Sequence, residues 1–400
     1  MRTDASFRWQ VELVCLRMLS LTLLIALVVF SSPQRARAET ASDLHAWNMF
    51  GYNATHSHYN TAETLLSPGS VGGLHSAWSY ATGPGPYSSG VRSSAAIVSG
   101  VAYVGADDGN LYAFDARTGA RRWVFTTGGS IDASPAVGNG LVYIGSSDGY
   151  VYALNADTGA LVWKFYTSYR GVSASPTLWK DYLYVLGNSQ KLYAFKALTG
   201  DFVWGYDTGA CEEVADSAPA VDNGMLYVGT CLGDVLAVNA FTGAFTWRHS
   251  VGMPFDSAPA IANGMVYIGA LDHNVYAFKA SDGTLAWSYR TGGAVGASPA
   301  VANGIVYVGS NDDRFYALDA ATGAPRWWFG TGNTVFSSAA VANGVVFVGS
   351  DDANTYAFDA ATGTLLWSYA TGLGVDASPA IYSGMLFVGS NDANFYAFSV

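Results

Sequence analysis

Short apolar runs separated by turn residues repeat along the chain from Val91 to its end. The clearest copy, residues 295–327, reads VGASPAVANGIVYVGSNDDRFYALDAATGAPRW. Its runs are four to six residues long and rich in Val, Ile, Tyr and Phe, which is typical of β-strands. Asn303-Gly304 supplies the positive φ of a tight hairpin, and Asp312-Asp313 and Ala321-Thr322-Gly323 are also turn sequences. Each copy therefore predicts four short strands, of which the fourth carries a Trp.

The repeat recurs about every 40 residues, which is the spacing of β-propeller blades. The second-strand signature occurs eight times and ends at Gly105, Gly145, Gly187, Gly229, Gly269, Gly309, Gly349 and Gly389. The fourth-strand Trp also occurs eight times, at Trp78, Trp123, Trp163, Trp204, Trp247, Trp287, Trp327 and Trp367. The pattern predicts an all-β fold, an eight-bladed β-propeller of four-stranded antiparallel blades.

The two ends of the repeat array complement each other. Trp78 lies in a fourth strand that no first three strands precede, and the last copy stops at Val400 after its third strand. We predict that the N-terminal strand closes the last blade, which leaves no open blade edge. The predicted propeller domain is then 39–400, with 39–83 as a lead-in plus the closing strand.

The segment that precedes Glu39 has a different pattern. Arg2, Arg8 and Arg17 precede the apolar run of residues 18–30, and Ala36-Arg37-Ala38 stands before Glu39. A basic start, a short apolar core and a small-x-small site predict that residues 1–38 are a secretory signal peptide. The mature protein would be exported, periplasmic or extracellular, and not anchored in a membrane after cleavage. An uncleaved anchor is the alternative.

Charge and cysteine content refine this interpretation. Cleavage would remove five Arg and two acids, a net charge of +3, and would change the net charge from −11 to −14. So acidic a protein is not expected to bind nucleic acid by counterion release; its acidity mainly indicates solubility and, more weakly, basic or cationic partners. Cys211 and Cys231 flank an antiparallel strand pair, and an exported pair is expected to form a disulfide.

Several recurring residues have structural explanations. Each Trp is expected to pack between neighbouring blades, beside the glycine of a turn. The Asp of the loop between second and third strands, as at Asp312, fits turn chemistry. His56-x-His58 has the spacing of a metal pair, but without a third ligand nearby a surface position is favoured.

The start of the innermost strand carries the candidate ligand site. The eight equivalent positions should ring one mouth of the central channel, and they differ from blade to blade while their neighbours repeat. They are Arg92, Asp132, Ser173, Asp216, Asp256, Gly296, Phe336 and Asp376. One interpretation is a solvated rim. The alternative is a cation or small-ligand site built from Asp132, Asp216, Asp256 and Asp376, with Arg92 as an anion clamp.

The chain resembles the pyrroloquinoline quinone (PQQ) repeat family over about residues 44–400. The resemblance rests on the pattern VYVGSxDxxxYAxDAxTGxxxW, whose Gly-x-x-x-Trp piece is similar to the tryptophan-docking motif of that family. The segment from Trp47 to Trp78 is also similar to the N-terminal approach to the family's first Trp strand.

The resemblance implies two classes of function. Quinoprotein dehydrogenases oxidise alcohols or sugars with PQQ and calcium, whereas BamB-type propellers bind proteins. The dehydrogenases usually carry adjacent cysteines and long insertions; here no Cys-Cys pair occurs, the repeats keep a nearly constant length, and no catalytic residue can be assigned. We therefore favour a scaffold that binds a protein partner or small ligand at a propeller face. A PQQ- and calcium-dependent dehydrogenase is the alternative, and a recently duplicated repeat array with an unrelated ligand is the third.

Overall fold

The computed structural model describes residues 46–83, 90–209 and 217–400. The predicted signal peptide, Cys211 and Asp216 lie outside these residues. None of the described helices is long and apolar enough to cross a membrane; the helical segment Val71–Gly73 is a single 3₁₀ turn.

The described chain forms eight blades of four antiparallel strands, which confirms the predicted fold. The innermost strands are β3 (Ala96–Val98), β7 (Ala136–Gly138), β11 (Thr177–Trp179), β15 (Ala220–Asp222), β19 (Ala260–Ala262), β23 (Ala300–Ala302), β27 (Ala340–Ala342) and β31 (Ala380–Tyr382). The second strands are β4 (Val101–Gly105), β8 (Leu141–Gly145), β12 (Tyr182–Gly187), β16 (Met225–Gly229), β20 (Met265–Gly269), β24 (Ile305–Ser310), β28 (Val345–Gly349) and β32 (Met385–Gly389). The third strands are β5 (Asn110–Asp115), β9 (Tyr150–Asn155), β13 (Lys191–Lys196), β17 (Asp234–Asn239), β21 (Asn274–Lys279), β25 (Arg314–Asp319), β29 (Asn354–Asp359) and β33 (Asn394–Ser399). The outermost strands are β2 (His75–Ala81), β6 (Arg121–Thr126), β10 (Leu161–Tyr166), β14 (Phe202–Asp207), β18 (Phe245–Ser250), β22 (Leu285–Arg290), β26 (Pro325–Gly330) and β30 (Leu365–Ala370).

The last blade combines strands from both ends of the repeat array. Its sheet order is β2-β33-β32-β31, and β2 runs antiparallel to β33 with Trp78 opposite Ala397. The N-terminal strand thus supplies the outermost strand that the last repeat lacks, and the ring of blades has no three-stranded member among the described sheets.

Each outermost strand carries an irregularity that positions its Trp. The register of all eight outermost strands shifts immediately before the Trp, as between Ser76 and Trp78. A β-bulge re-aims the following side chain and increases the local twist. The Trp287 indole consequently reaches the next blade, where Nε1 donates to the Ala320 carbonyl oxygen at 3.0 Å. A Cβ at Gly323, which has φ 73°, would lie 2.6 Å from that indole, so this turn needs glycine.

The other seven Trp side chains make the same kind of contact. Their Nε1 atoms donate to backbone carbonyl oxygens at 2.9–3.2 Å, with pairs Trp78–Ala116, Trp123–Ala156, Trp163–Ala197, Trp204–Ala240, Trp247–Ala280, Trp327–Ala360 and Trp367–Leu74. Each indole therefore joins two successive blades through one hydrogen bond and its packing.

The lead-in before β2 runs around the channel axis. Trp47 exchanges two backbone hydrogen bonds with Ile97, and β1 (Tyr59–Asn60) pairs in parallel with β27. Between them, lead-in carbonyl oxygens accept hydrogen bonds from Val137, Val221, Ile261, Val301 and Val341 at 2.6–2.9 Å. These donors occupy the same position in the innermost strands of the second, fourth, fifth, sixth and seventh blades, so the lead-in closes one end of the channel.

Candidate functional site

A cavity of about 260 Å³ lies on the channel axis between the lead-in and the opposite mouth. The innermost strands form its wall and Phe50 of the lead-in forms part of its lining. Since the channel is closed on the lead-in side, a ligand would enter through the mouth.

The structure brings the described members of the predicted mouth ring together around this cavity. The cavity is lined by Arg92, Asp132, Ser173, Asp256, Gly296, Phe336 and Asp376; Asp216 lies outside the described residues. These positions differ between blades because their side chains face the channel, where no neighbouring blade restricts their size.

Arg92 is the cation of the mouth, and it is engaged by two carboxylates. Its Nη2 lies 3.2 Å from Asp107 Oδ1 and 3.0 Å from Asp132 Oδ1. The Asp107 side chain is almost fully buried, whereas Asp132 is about a third exposed. An incoming anion would have to compete with both carboxylates, so the predicted anion clamp is already occupied within the protein.

Burial is the main influence on the pKa of the Asp132 carboxyl. It raises the pKa of Asp132 to about 6, and the neighbouring Asp107 adds to the increase, while the charge of Arg92 opposes it. Asp132 is therefore a carboxylate at neutral pH, but one that gains from any additional positive charge placed beside it.

Asp376 has a comparable environment on the other side of Arg92. Its Oδ2 accepts a hydrogen bond from Asn391 Nδ2 at 2.9 Å, and its Oδ1 is buried with no hydrogen-bond partner. Burial, and after it the neighbouring Asp351 carboxyl, raise the pKa of Asp376 to about 6. A buried carboxylate oxygen without a donor is energetically costly, and a ligand N–H group would remove this cost.

Below the mouth ring, serine hydroxyls form a belt around the cavity that sequence reasoning missed. The serine belt consists of Ser94, Ser134, Ser175, Ser298, Ser338 and Ser378. Each hydroxyl oxygen accepts the backbone N–H of the equivalent residue in the preceding blade at 2.9–3.1 Å. Ala218 and Ala258 occupy the same position in the fourth and fifth blades. The signal was present in the recurring Ser-Pro-Ala sequence, which reads as strand composition alone.

The lead-in histidines correct one interpretation from the sequence. His56 and His58 are fully buried, not on the surface, and Phe50 packs edge-on against both rings at 5.5 and 5.0 Å between centroids. Burial lowers the pKa of each to about 3, so both are neutral at pH 7. His56 Nε2 donates to Thr177 Oγ1 at 3.2 Å, and Thr177 in turn donates to the Pro219 carbonyl oxygen. The pair therefore supports the floor of the cavity.

The predicted disulfide involves one described residue. Cys231 is buried and takes part in a disulfide. Cys211 lies outside the described residues, so the Cys211–Cys231 pairing stays a prediction.

The described residues do not fit a resident calcium ion. Calcium needs six to eight oxygen ligands, yet the described part of the chain has no group of three or more His, Cys, Asp or Glu residues arranged to hold a metal.

Comparison with known protein families identifies one that matches most of the chain. The PQQ_2 family, described as "Outer membrane protein assembly factor BamB", matches residues 69–218, 210–297 and 291–400, which confirms the resemblance to PQQ-type propellers. No curated protein sequence matches the chain.

Solved structures share the fold at low sequence identity. A europium-containing methanol dehydrogenase has a TM-score of 0.78 and 16% identity, covering 89% of this chain and 98% of that one. The quinohemoprotein alcohol dehydrogenase of Comamonas testosteroni has a TM-score of 0.77 and 17% identity, with coverages of 91% and 81%. BamB of Moraxella catarrhalis has a TM-score of 0.71 and 17% identity, with coverages of 82% and 100%. At this identity the likeness shows the propeller fold, and the site itself must decide between functions.

Proposed function

Because the chain belongs to the family described as outer membrane protein assembly factor BamB, we propose that it is an exported binding scaffold. Its channel mouth takes a small ligand or a side chain presented by a protein partner. Export is supported by the basic, apolar and small-residue pattern of residues 1–38.

The observation that supports this proposal is that the mouth-ring position varies between blades, whereas the Trp and turn Gly positions recur. The Trp and turn Gly positions recur in blade after blade because each contacts a neighbouring blade. The mouth ring holds Arg, Asp, Ser, Gly and Phe at one equivalent position, and all its described members line one cavity. A scaffold needs uniform contacts between blades, whereas recognition of one ligand needs different groups around it.

The alternative function, a PQQ- and calcium-dependent dehydrogenase, has weaker support from the residues. Such an enzyme needs a metal and a base that converge beside the quinone. Asp132 is instead paired with Arg92, and Asp376 accepts a hydrogen bond from Asn391. The fold similarity to alcohol dehydrogenases is compatible with either function.

A thermal-shift panel tests the proposal on the purified protein. Calcium chloride, sodium phosphate, glucose, ethanolamine, and PQQ with calcium are each added to the wild type and to the Asp132→Asn, Asp376→Asn double variant. The control, Asp157→Asn, removes a charge from an exposed turn that does not line the cavity.

We expect at least one probe to stabilise the wild type and Asp157→Asn but not the double variant. Stabilisation by no probe, or equal stabilisation of all three proteins, would contradict a ligand site at the mouth. Calcium-dependent PQQ binding that is lost in the double variant would favour the dehydrogenase.

A further inference from the structure

The cavity has three layers with different hydrogen-bonding character. Carboxylates and Arg92 form the mouth, the serine belt forms the wall below them, and Phe50 contributes to the closed end. A ligand that fills the cavity must therefore satisfy an acceptor-rich layer and a hydroxyl layer at the same time.

The mouth layer needs a hydrogen-bond donor with positive charge. Asp376 Oδ1 is buried without a hydrogen-bond partner, and Asp351, Asn391 and Arg92 are the polar groups that act on this carboxylate. Asn391 already bonds to Oδ2, and Arg92 pairs with Asp107 and Asp132. A protonated amine can donate to Oδ1 and offset the excess of negative charge around it.

The serine layer needs an oxygen acceptor. Each belt hydroxyl oxygen accepts one backbone N–H, and the belt residues are only 4–8% exposed. Among the described residues, the hydroxyl hydrogens of the belt have no acceptor. Hydroxyl or carbonyl oxygens of a ligand would accept these buried hydrogens, because a hydroxyl both donates and accepts.

The volume limits the size of the ligand. At about 260 Å³ the cavity is smaller than the 300–1,000 Å³ usual for drug-sized ligands. Phe50 and Phe336 add aromatic surface to the lining, which is compatible with an ammonium group.

We propose that the cavity binds a small protonated primary amine that also carries a hydroxyl or carbonyl oxygen, with its ammonium group on Asp376 and its oxygen on the serine belt. This inference rests on the proposed function, since it names the ligand class of the same mouth. The ligand is a free compound, because a lysine side chain presented through the mouth has no oxygen that could reach the belt below its ammonium group.

Other ligand classes leave one layer unsatisfied. An anion would be repelled by the carboxylates, because Arg92 is already engaged. A neutral polyol would bond to the serines but would leave the Asp376 carboxylate without a counter-charge. A simple alkylamine would satisfy Asp376 but not the belt.

Calorimetry with three matched probes separates these classes. Ethanolamine carries both groups, ethylamine lacks the hydroxyl, and ethylene glycol lacks the amine. We expect ethanolamine to bind most tightly, ethylamine more weakly, and ethylene glycol not at all at the same concentrations. An N-acetyl-lysine amide probe is expected to bind no more tightly than ethylamine, because its oxygens lie at the far end of its four-carbon stem; tighter binding would contradict the need for an oxygen on the belt.

Two variants test which layer of the cavity binds which group of the ligand. Asp376→Asn should weaken ethanolamine and ethylamine roughly tenfold or more, because a charged hydrogen bond is lost. Ser338→Ala should weaken ethanolamine but not ethylamine. Alanine is tolerated at this belt position, since Ala218 and Ala258 occupy it in two blades. Asp157→Asn is the charge-matched control and should bind like the wild type.

The pH gives an independent readout. Ethanolamine affinity should fall between pH 7.5 and pH 5.0, because the mouth carboxylates Asp132 and Asp376 take up protons near pH 6. Tighter binding of ethylene glycol than of either amine, or unchanged amine affinity in Asp376→Asn, would overturn the amine proposal. Binding of calcium or phosphate that depends on the mouth residues would overturn it while leaving the mouth as a ligand site.

Discussion

At the scale of the residue, two positions of the repeat differ in how freely they vary: the Trp position contacts the next blade, and the mouth position faces the cavity. The Trp of the outermost strand is constrained, because seven of the eight indoles fill the space beside the turn glycine of the next blade. The mouth position varies from Gly296 to Arg92 because its side chain faces the cavity. The sequence alone predicts this ring of positions, since one irregular site in an otherwise regular repeat is visible without coordinates.

The Trp contact predicts a large difference between two tryptophans of the same kind of strand. Trp287 is buried and bonded to the next blade, so Trp287→Ala should lower the free energy of unfolding by about 3–5 kcal/mol. Trp328 is 56% exposed and has the Arg314 guanidinium over its ring, so Trp328→Ala should cost less than about 1 kcal/mol. Urea unfolding measures both, and equal losses would contradict the docking role.

The raised pKa of Asp376 predicts a stability change with pH. The folded carboxyl titrates near pH 6 and the unfolded one near pH 4, so the proton bound in the folded state stabilises the protein below about pH 4. This stabilisation is lost as the pH rises through 6. Asp376→Asn should therefore gain roughly 1–2 kcal/mol relative to the wild type between pH 4 and pH 8. A stability difference between Asp376→Asn and the wild type that is independent of pH would refute the assignment.

At the scale of the element, the segment before the first complete blade has two structural roles. Strand β2 completes the last blade, and its sequence ends like every other outermost strand, so its existence could be predicted. The lead-in has no hydrophobic period, and it uses positive φ values at Tyr52, His56 and His58. Its partners lie far away along the chain, as for Asn60 and Ile381, so neither its axial path nor the burial of its histidines could be foreseen.

Stepwise truncation distinguishes the role of β2 in the last blade from the role of the lead-in at the end of the channel. A chain that begins at residue 84 lacks β2 and exposes the edge of β33, so it should aggregate or melt far below a chain that begins at residue 39. A chain that begins at residue 62 keeps β2 but loses the lead-in, so it should stay monomeric with an intermediate melting temperature. Light scattering and thermal unfolding measure these outcomes, and identical behaviour of all three chains would contradict both roles.

The fourth blade carries the predicted covalent link. A Cys211–Cys231 bond would close a loop of about 20 residues and stabilise the fold by roughly 3 kcal/mol. Intact mass analysis of protein from an oxidising compartment should show these two thiols as one disulfide, and reduction should lower the melting temperature. Two free thiols in that protein would refute the pairing.

At the scale of the whole molecule, the ring is held by three concentric sets of contacts. The indole contacts join blades at the outside, as for Trp123 and Ala156. The serine belt joins them around the cavity, as for Ser338 and Ser378. The lead-in joins them across one end of the channel, as for His58 and Val341. Since all three sets run from blade to blade, we expect the described propeller to unfold in one cooperative transition.

The path of the lead-in has a consequence for how this chain can change over generations. Tandem repeats as similar as these are prone to gain or lose a copy by recombination. Residues 47–60 oppose such events, because their backbone groups bond in chain order to the innermost strands of six of the eight blades, from Ile97 to Val341. The side chains of His56 and Asn60 contact the other two, at Thr177 and Ile381. An inserted ninth blade would find no bonding partner in this segment, and it would widen the ring of blades that the segment spans. The repeats are thus free to diverge at the mouth, while their number is held at eight by a segment that is not itself a repeat.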